Sequence, residues 1–228
     1  MSLGPLYHMK NKLLALNWKS NKTKIEAKDW LVETSGVEIP EGIQVVVFPP
    51  FTLLDVMNGY VRVNSLPLKI GAQDVSPFDK GAYTGEVSAE QIKEFSEYVL
   101  IGHSERRNNL KEDIEIISKK VGQALSQGLK VVVCVSNLDE LSGLNSEGLI
   151  IAYEPVEAIG TGNPTDPAVV EEMAKKIKNI GFKDVLYGGS VNSENIKVFL
   201  DLPSIDGALI GGESLDPKSF ESLIKNAI

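Results

Sequence analysis

Eight short apolar runs rich in β-branched residues limit what this chain can fold into. They fall at Leu13–Asn17, Ile43–Phe48, Leu68–Ala72, Tyr98–Ile101, Lys130–Val135, Leu149–Tyr153, Asp184–Tyr187 and Gly207–Ile210. Each is too short for a helix and apolar without alternation, as expected of strands buried on both faces of a parallel sheet. Segments with helical spacing lie between most of them: Ile25–Thr34, Ser88–Glu97, Glu112–Ser126, Pro167–Asn179, Ser193–Leu200 and Pro217–Ala227. The helix punctuation agrees. Asp166-Pro167 and Asp216-Pro217 read as N-cap-plus-proline starts, and Gly128 and Gly181 stand where a C-terminal glycine belongs.

Eight strands alternating with helices predict one α/β domain, either a closed (β/α)8 barrel or a doubly wound sheet. No Gly-x-Gly-x-x-Gly follows the first run and no Walker lysine motif occurs, which removes the usual nucleotide-binding signatures and favours the barrel. The first eight residues, Met1–His8, differ in character from the rest. They read as an added leader before a start at Met9, so the barrel domain is expected over 9–228. A formal net charge of −8 without a basic patch argues against nucleic acid and anionic membranes as partners. No apolar run reaches the roughly 18 residues of a membrane helix. The single cysteine, Cys134, lies inside an apolar run, giving no disulfide framework and no cysteine-rich metal site. A cytoplasmic location is expected on that composition.

The chemistry-bearing residues stand at the ends of the strands. Glu154 follows the apolar run Leu149–Tyr153 and precedes Pro155, with glycines at 160 and 162. A carboxyl group between an apolar strand and a hinged loop suits a general base, although a strand-end glutamate in a turn reads the same way. Lys19 follows the first strand in Asn17-Trp18-Lys19, where its ammonium needs either water or an anion. His103 follows the fourth strand in Gly102-His103-Ser104-Glu105-Arg106-Arg107 and opens a helix. It is either a satisfied structural histidine or a neutral hydrogen-bond donor to a polarised oxygen. Gly188-Gly189-Ser190 and Gly211-Gly212 follow the last two strands. They are either tight turns or backbone N–H donors for an anion.

Taken in order, Asn17-Trp18-Lys19, Gly102–Arg107, Tyr153-Glu154-Pro155-Val156 with Ala158–Gly162, Tyr187–Ser190 and Gly211-Gly212 resemble the triosephosphate isomerase family across the chain from Met9 onward. The resemblance implies a single-domain (β/α)8 TIM barrel. It also implies the reversible isomerisation of dihydroxyacetone phosphate and D-glyceraldehyde 3-phosphate through an enediolate, a step of glycolysis and gluconeogenesis, without metal or organic cofactor. By that resemblance Glu154 moves the proton between carbons and His103 serves the two oxygens. Lys19 and Asn17 bind substrate and charge, and Glu105 pairs with the lysine. Gly160, Ser190, Gly211 and Gly212 donate N–H groups to the phosphate. Tyr83 and Thr84 belong to a loop that resembles the family's dimer loop and implies a homodimer. An aldolase using Lys19 as a Schiff-base nucleophile, or a non-catalytic scaffold on the same fold, are the competing readings.

Several residues depart from the family pattern. Glu157 stands where a lid tryptophan is usual, so altered lid kinetics are expected, testable by Glu157→Trp. Asp74 stands where asparagine is usual and is expected to disturb the network under Lys19. Glu213 replaces a small residue beside the phosphate glycines and is expected to turn its charge away. The stretch between Cys134 and Glu154 is about half the family's length, and Leu138–Ser146 has room for a short helical turn at most. The fifth helix is therefore expected to be truncated or absent, with that flank thinly covered or covered by another subunit.

Overall fold

The computed structural model describes residues 11–155 and 163–228. The leader Met1–His8, the start at Met9, Glu157 and Gly160 lie outside them. The strands are β1 (Lys12–Asn17), β2 (Ile43–Phe48), β3 (Leu68–Ala72), β4 (Tyr98–Ile101), β5 (Lys130–Val135), β6 (Leu149–Tyr153), β7 (Asp184–Tyr187) and β8 (Gly207–Ile210). They pair in chain order, all parallel, and β8 closes onto β1 through Leu13↔Gly207 to Leu16↔Ile210. The closure needs glycine at 207, because a Cβ there would fall 2.0 Å from the Leu13 carbonyl oxygen.

Alternation along each strand divides the apolar side chains into two layers. Leu13, Ala15, Phe48, Val132, Cys134, Ala152 and Leu186 fill the barrel interior. Leu14, Leu16, Val131, Val133, Ile151 and Val185 face outward to the helices. This double burial is why the runs read as continuously apolar.

The helices are α1 (Lys24–Thr34), α2 (Leu54–Val63), α3 (Ala89–Lys93), α4 (Ser104–Leu110), α5 (Ile114–Ser126), α6 (Pro167–Asn179), α7 (Ile196–Leu200) and α8 (Pro217–Asn226). Thr23 and Glu26 form a reciprocal capping box at α1, and Asp166 and Asp216 cap α6 and α8 ahead of their prolines. Two predicted helices are shorter than the pattern suggests. Asn192 takes the Glu194 and Asn195 N–H groups on its side chain, so α7 starts only at Ile196. After α3 the Phe95 and Ser96 N–H groups both return to the Ile92 carbonyl, ending that helix before β4. α2 is a helix beyond those expected, with Leu54, Met57 and Val61 buried at helical spacing.

Among the described residues no α-helix stands between β5 and β6. A four-residue 3-10 turn, Leu138–Leu141, stands there instead, so the fifth helix is truncated as expected. The flank is not bare, however. Leu141 is buried in the outer core, with Leu138 and Leu144 packed against it. Three leucines of the chain itself do the covering that a helix normally does.

Candidate active site

The carboxyl ends of the strands converge on a cleft of about 240 Å³. Asn17, Lys19, His103, Glu154, Ser190, Gly211 and Gly212 all line it. These residues come from the ends of β1, β4, β6, β7 and β8, on the face of a (β/α)8 barrel where chemistry is assembled. Glu105 sits just behind and salt-bridges Lys19 at 2.5 Å. Sequence reasoning did not single out Val191, Asn192 or Leu209, which also line the cleft. Leu209 lies in mid-strand, so no strand-end signal marks it.

His103 caps α4, and its Nδ1 accepts the Glu105 backbone N–H at 3.2 Å. A ring nitrogen that accepts carries no proton, so this bond places the imidazole proton on Nε2. Nε2 lies 3.2 Å from Glu154 Oε1. Both residues are buried, and Glu154 Oε2 has no hydrogen-bond partner among the described residues. A buried carboxylate oxygen without a partner calls for a reason, and facing a reactant's proton is one. The backbone holds this carboxylate on both sides. The Glu154 N–H donates to the Val135 carbonyl at 2.8 Å, and a Cβ on Gly188 would lie 2.8 Å from Glu154 Cγ. Gly188 leaves the space that the side chain occupies. Beneath, burial pushes the Cys134 thiol well above its ordinary range, and the charge of Glu154 pushes it further. It therefore stays a thiol and offers no nucleophile.

Lys19 has a left-handed backbone, φ 52°, a conformation that surrounding bonds must enforce. Its N–H donates to Asn17 Oδ1 at 3.0 Å, and its carbonyl accepts from Gln73 Nε2 at 2.9 Å. Gln73 Nε2 also donates to the Phe48 carbonyl at 2.7 Å, tying Lys19 to the end of β2. The lysine side chain then runs beside β8, with Cε 3.6 Å from where a Cβ on Gly211 would be. A 3-10 turn, Gly212–Ser214, begins there. The first N–H groups of such a turn have no partner within it and can receive an anion. Glu213 is exposed and lines the same rim, so its charge stays in solvent yet close to that position.

Asp74 corrects an expectation. It does not act beneath Lys19. Its carboxylate accepts from Lys120 at 2.7 and 2.8 Å and from Arg106 at 2.6 Å, and Lys120 and Arg106 also hold Glu112. Gln73, one residue earlier, supports the lysine instead.

The residues 12–227 match the family model described as triosephosphate isomerase. The chain belongs to the triosephosphate isomerase family. Among relatives carrying that name, one from Finegoldia magna is 36% identical over 249 residues, covering 95% of this chain and 98% of the relative. One from Mesomycoplasma hyopneumoniae is 37% identical over 243 residues, covering 95% and 99%. One from Dictyoglomus thermophilum is 37% identical over 253 residues, covering 96% and 100%.

Proposed function

We propose that this chain interconverts dihydroxyacetone phosphate and D-glyceraldehyde 3-phosphate through an enediolate. The observation that carries the reading is the facing pair at the cleft: an unpartnered Glu154 oxygen beside a His103 Nε2–H, with Lys19 on the same cavity. Glu154 removes a proton from the carbon bearing the hydroxyl and returns it to the neighbouring carbon. His103 donates its Nε2 proton toward the carbonyl oxygen and moves protons between the two oxygens. The Lys19 ammonium, paired with Glu105, offsets the charge of the enediolate, while Asn17 holds the lysine's backbone. Ser190, Gly211 and Gly212 hold the phosphate through backbone N–H groups. The Lys19–Glu105 ion pair works against the aldolase reading, because a Schiff base needs a free amine lone pair.

The active form is a homodimer in the cytoplasm. Tyr83 and Thr84 are exposed on the loop between β3 and α3, where the Phe78 and Tyr83 rings stack at 4.3 Å and 3° and both residues are over 40% exposed. Such a pair of aromatic faces suits burial against a second copy. Sedimentation equilibrium then gives a mass of two chains.

Running the reaction in deuterium oxide tests the proton-transfer chemistry. Deuterium at carbon 2 of the glyceraldehyde product, read by NMR, is the expected result. Turnover without any label entering from solvent at either carbon overturns the shared-base enediolate route.

A further inference from the structure

Arg107 stands four residues after His103 in α4, and its head folds back beyond the start of that helix. Its Nε donates to the Gly102 carbonyl at 2.8 Å and its Nη2 to the Cys134 carbonyl at 3.0 Å. One planar guanidinium thus joins the end of β4 to the end of β5. Gly102 immediately precedes His103. Val135, the residue after Cys134, offers the carbonyl that accepts the Glu154 N–H. The two carbonyls held by Arg107 therefore adjoin the peptides that carry or anchor both members of the facing pair. Packing leaves little slack, since a Cβ at Gly102 would come 3.2 Å from Arg107 Nη2.

The Arg107 side chain is only 12% exposed, and a cation this covered needs a counter-charge. The shortened fifth unit supplies it. Glu140, in the 3-10 turn, places Oε2 3.5 Å from Arg107 Nε and accepts the Ser136 N–H with the same oxygen at 2.9 Å. Asn137 caps the turn by accepting the Asp139 and Glu140 N–H groups, which fixes where Glu140 leaves the backbone. The segment after β5, a 3-10 turn, thus places a carboxylate against the strand ends.

We propose that Arg107 and Glu140 are positioning residues that act as one unit to set the His103–Glu154 geometry. The inference rests on the isomerase reading above. In it, Arg107 fixes the strand ends and Glu140 fixes Arg107. Neither touches substrate.

The test compares Glu140→Gln, Arg107→Lys and the double variant with the wild type, by kcat, KM and thermal midpoint. Glu140→Gln keeps an acceptor for Ser136 but removes the charge. Arg107→Lys keeps the charge but loses the two-carbonyl grip. Each single change is expected to lower kcat on the order of tenfold, because small misplacements of reacting groups are costly. KM should stay within about twofold, since phosphate binding is untouched. The double variant should be no slower than the slower single one, the signature of coupled residues. Unchanged kcat well below a lowered midpoint would make the pair a stability staple and overturn the proposal, as would losses that multiply. If the wild type does not isomerise, the isomerase reading fails first, and the His103 side-chain 15N resonances decide this point. Shifted resonances in Glu140→Gln support positioning, and unshifted ones refute it.

Discussion

Glu112 and Glu154 are both buried carboxylates whose Oε2 has no hydrogen-bond partner among the described residues. Their surroundings differ in one respect. Glu112 Oε1 is shared by two cations, Arg106 at 2.7 Å and Lys120 at 2.6 Å, whereas Glu154 lies beside an imidazole nitrogen and the Cys134 thiol. For Glu112, burial favours the acid form, but the bonds from Arg106 and Lys120 prevail and hold its carboxyl below the ordinary range. Its charge is locked in place and has no proton to trade. Among the described residues no cation is bonded to Glu154, which opens on the cleft, so its Oε2 remains available to a reactant. Two glutamates equally hidden from water thus do opposite work, and what separates them is whether a cation is bonded to the carboxylate.

Breaking the locked cluster gives the largest expected effect on stability. Lys120→Met leaves Asp74 and Glu112 sharing only Arg106, and removing one partner of a buried ion pair costs about 3–5 kcal/mol. Urea unfolding measures it. A loss under about 1 kcal/mol would mean that the cluster contributes little and that the contrast with Glu154 is overstated.

A smaller effect follows from the two acids within the cluster, which respond to pH with opposite signs. Burial raises the Asp74 carboxyl above its ordinary value of 3.8, despite Lys120 and Arg106. The folded state therefore ionises Asp74 less readily than the unfolded chain, and this group's contribution falls as pH rises from 3.8 through its folded value. Glu112, lowered from 4.5, contributes stability above 4.5 that is lost as pH falls through its folded value. Asp74→Asn removes only the first. Compared with the wild type, its stability should improve as pH rises through that window, in unfolding curves taken at stepped pH. A difference that stays flat or moves the other way would reverse the sign assigned to Asp74.

The sequence carries the barrel clearly, because burial on both faces writes each strand as an unbroken apolar run. Strand-end residues are legible for a related reason: Lys19, His103 and Glu154 interrupt apolar stretches where only function or a fortunate turn keeps them. Contacts between distant segments are another matter. Asp74 pairs with Lys120 across 46 positions and Arg107 reaches the Cys134 carbonyl across 27, and no local pattern encodes either. The early end of α3 and the late start of α7 depend on turns and side-chain bonds that override apolar spacing. The fifth unit shows both cases. Its shortness was plain in the chain, but the three leucines that cover the flank and the return of Glu140 to Arg107 emerge only from the folded arrangement.

The central claim is that Glu154, unlike Glu112, is the base. The most direct measurement is a coupled assay with D-glyceraldehyde 3-phosphate on the wild type and Glu154→Asp in parallel. Fast turnover in the wild type and a fall on the order of 10²-fold or more when the carboxylate is drawn back by one methylene is the predicted result. Equal turnover in the two proteins, or none in a folded wild type that binds phosphate, would contradict it.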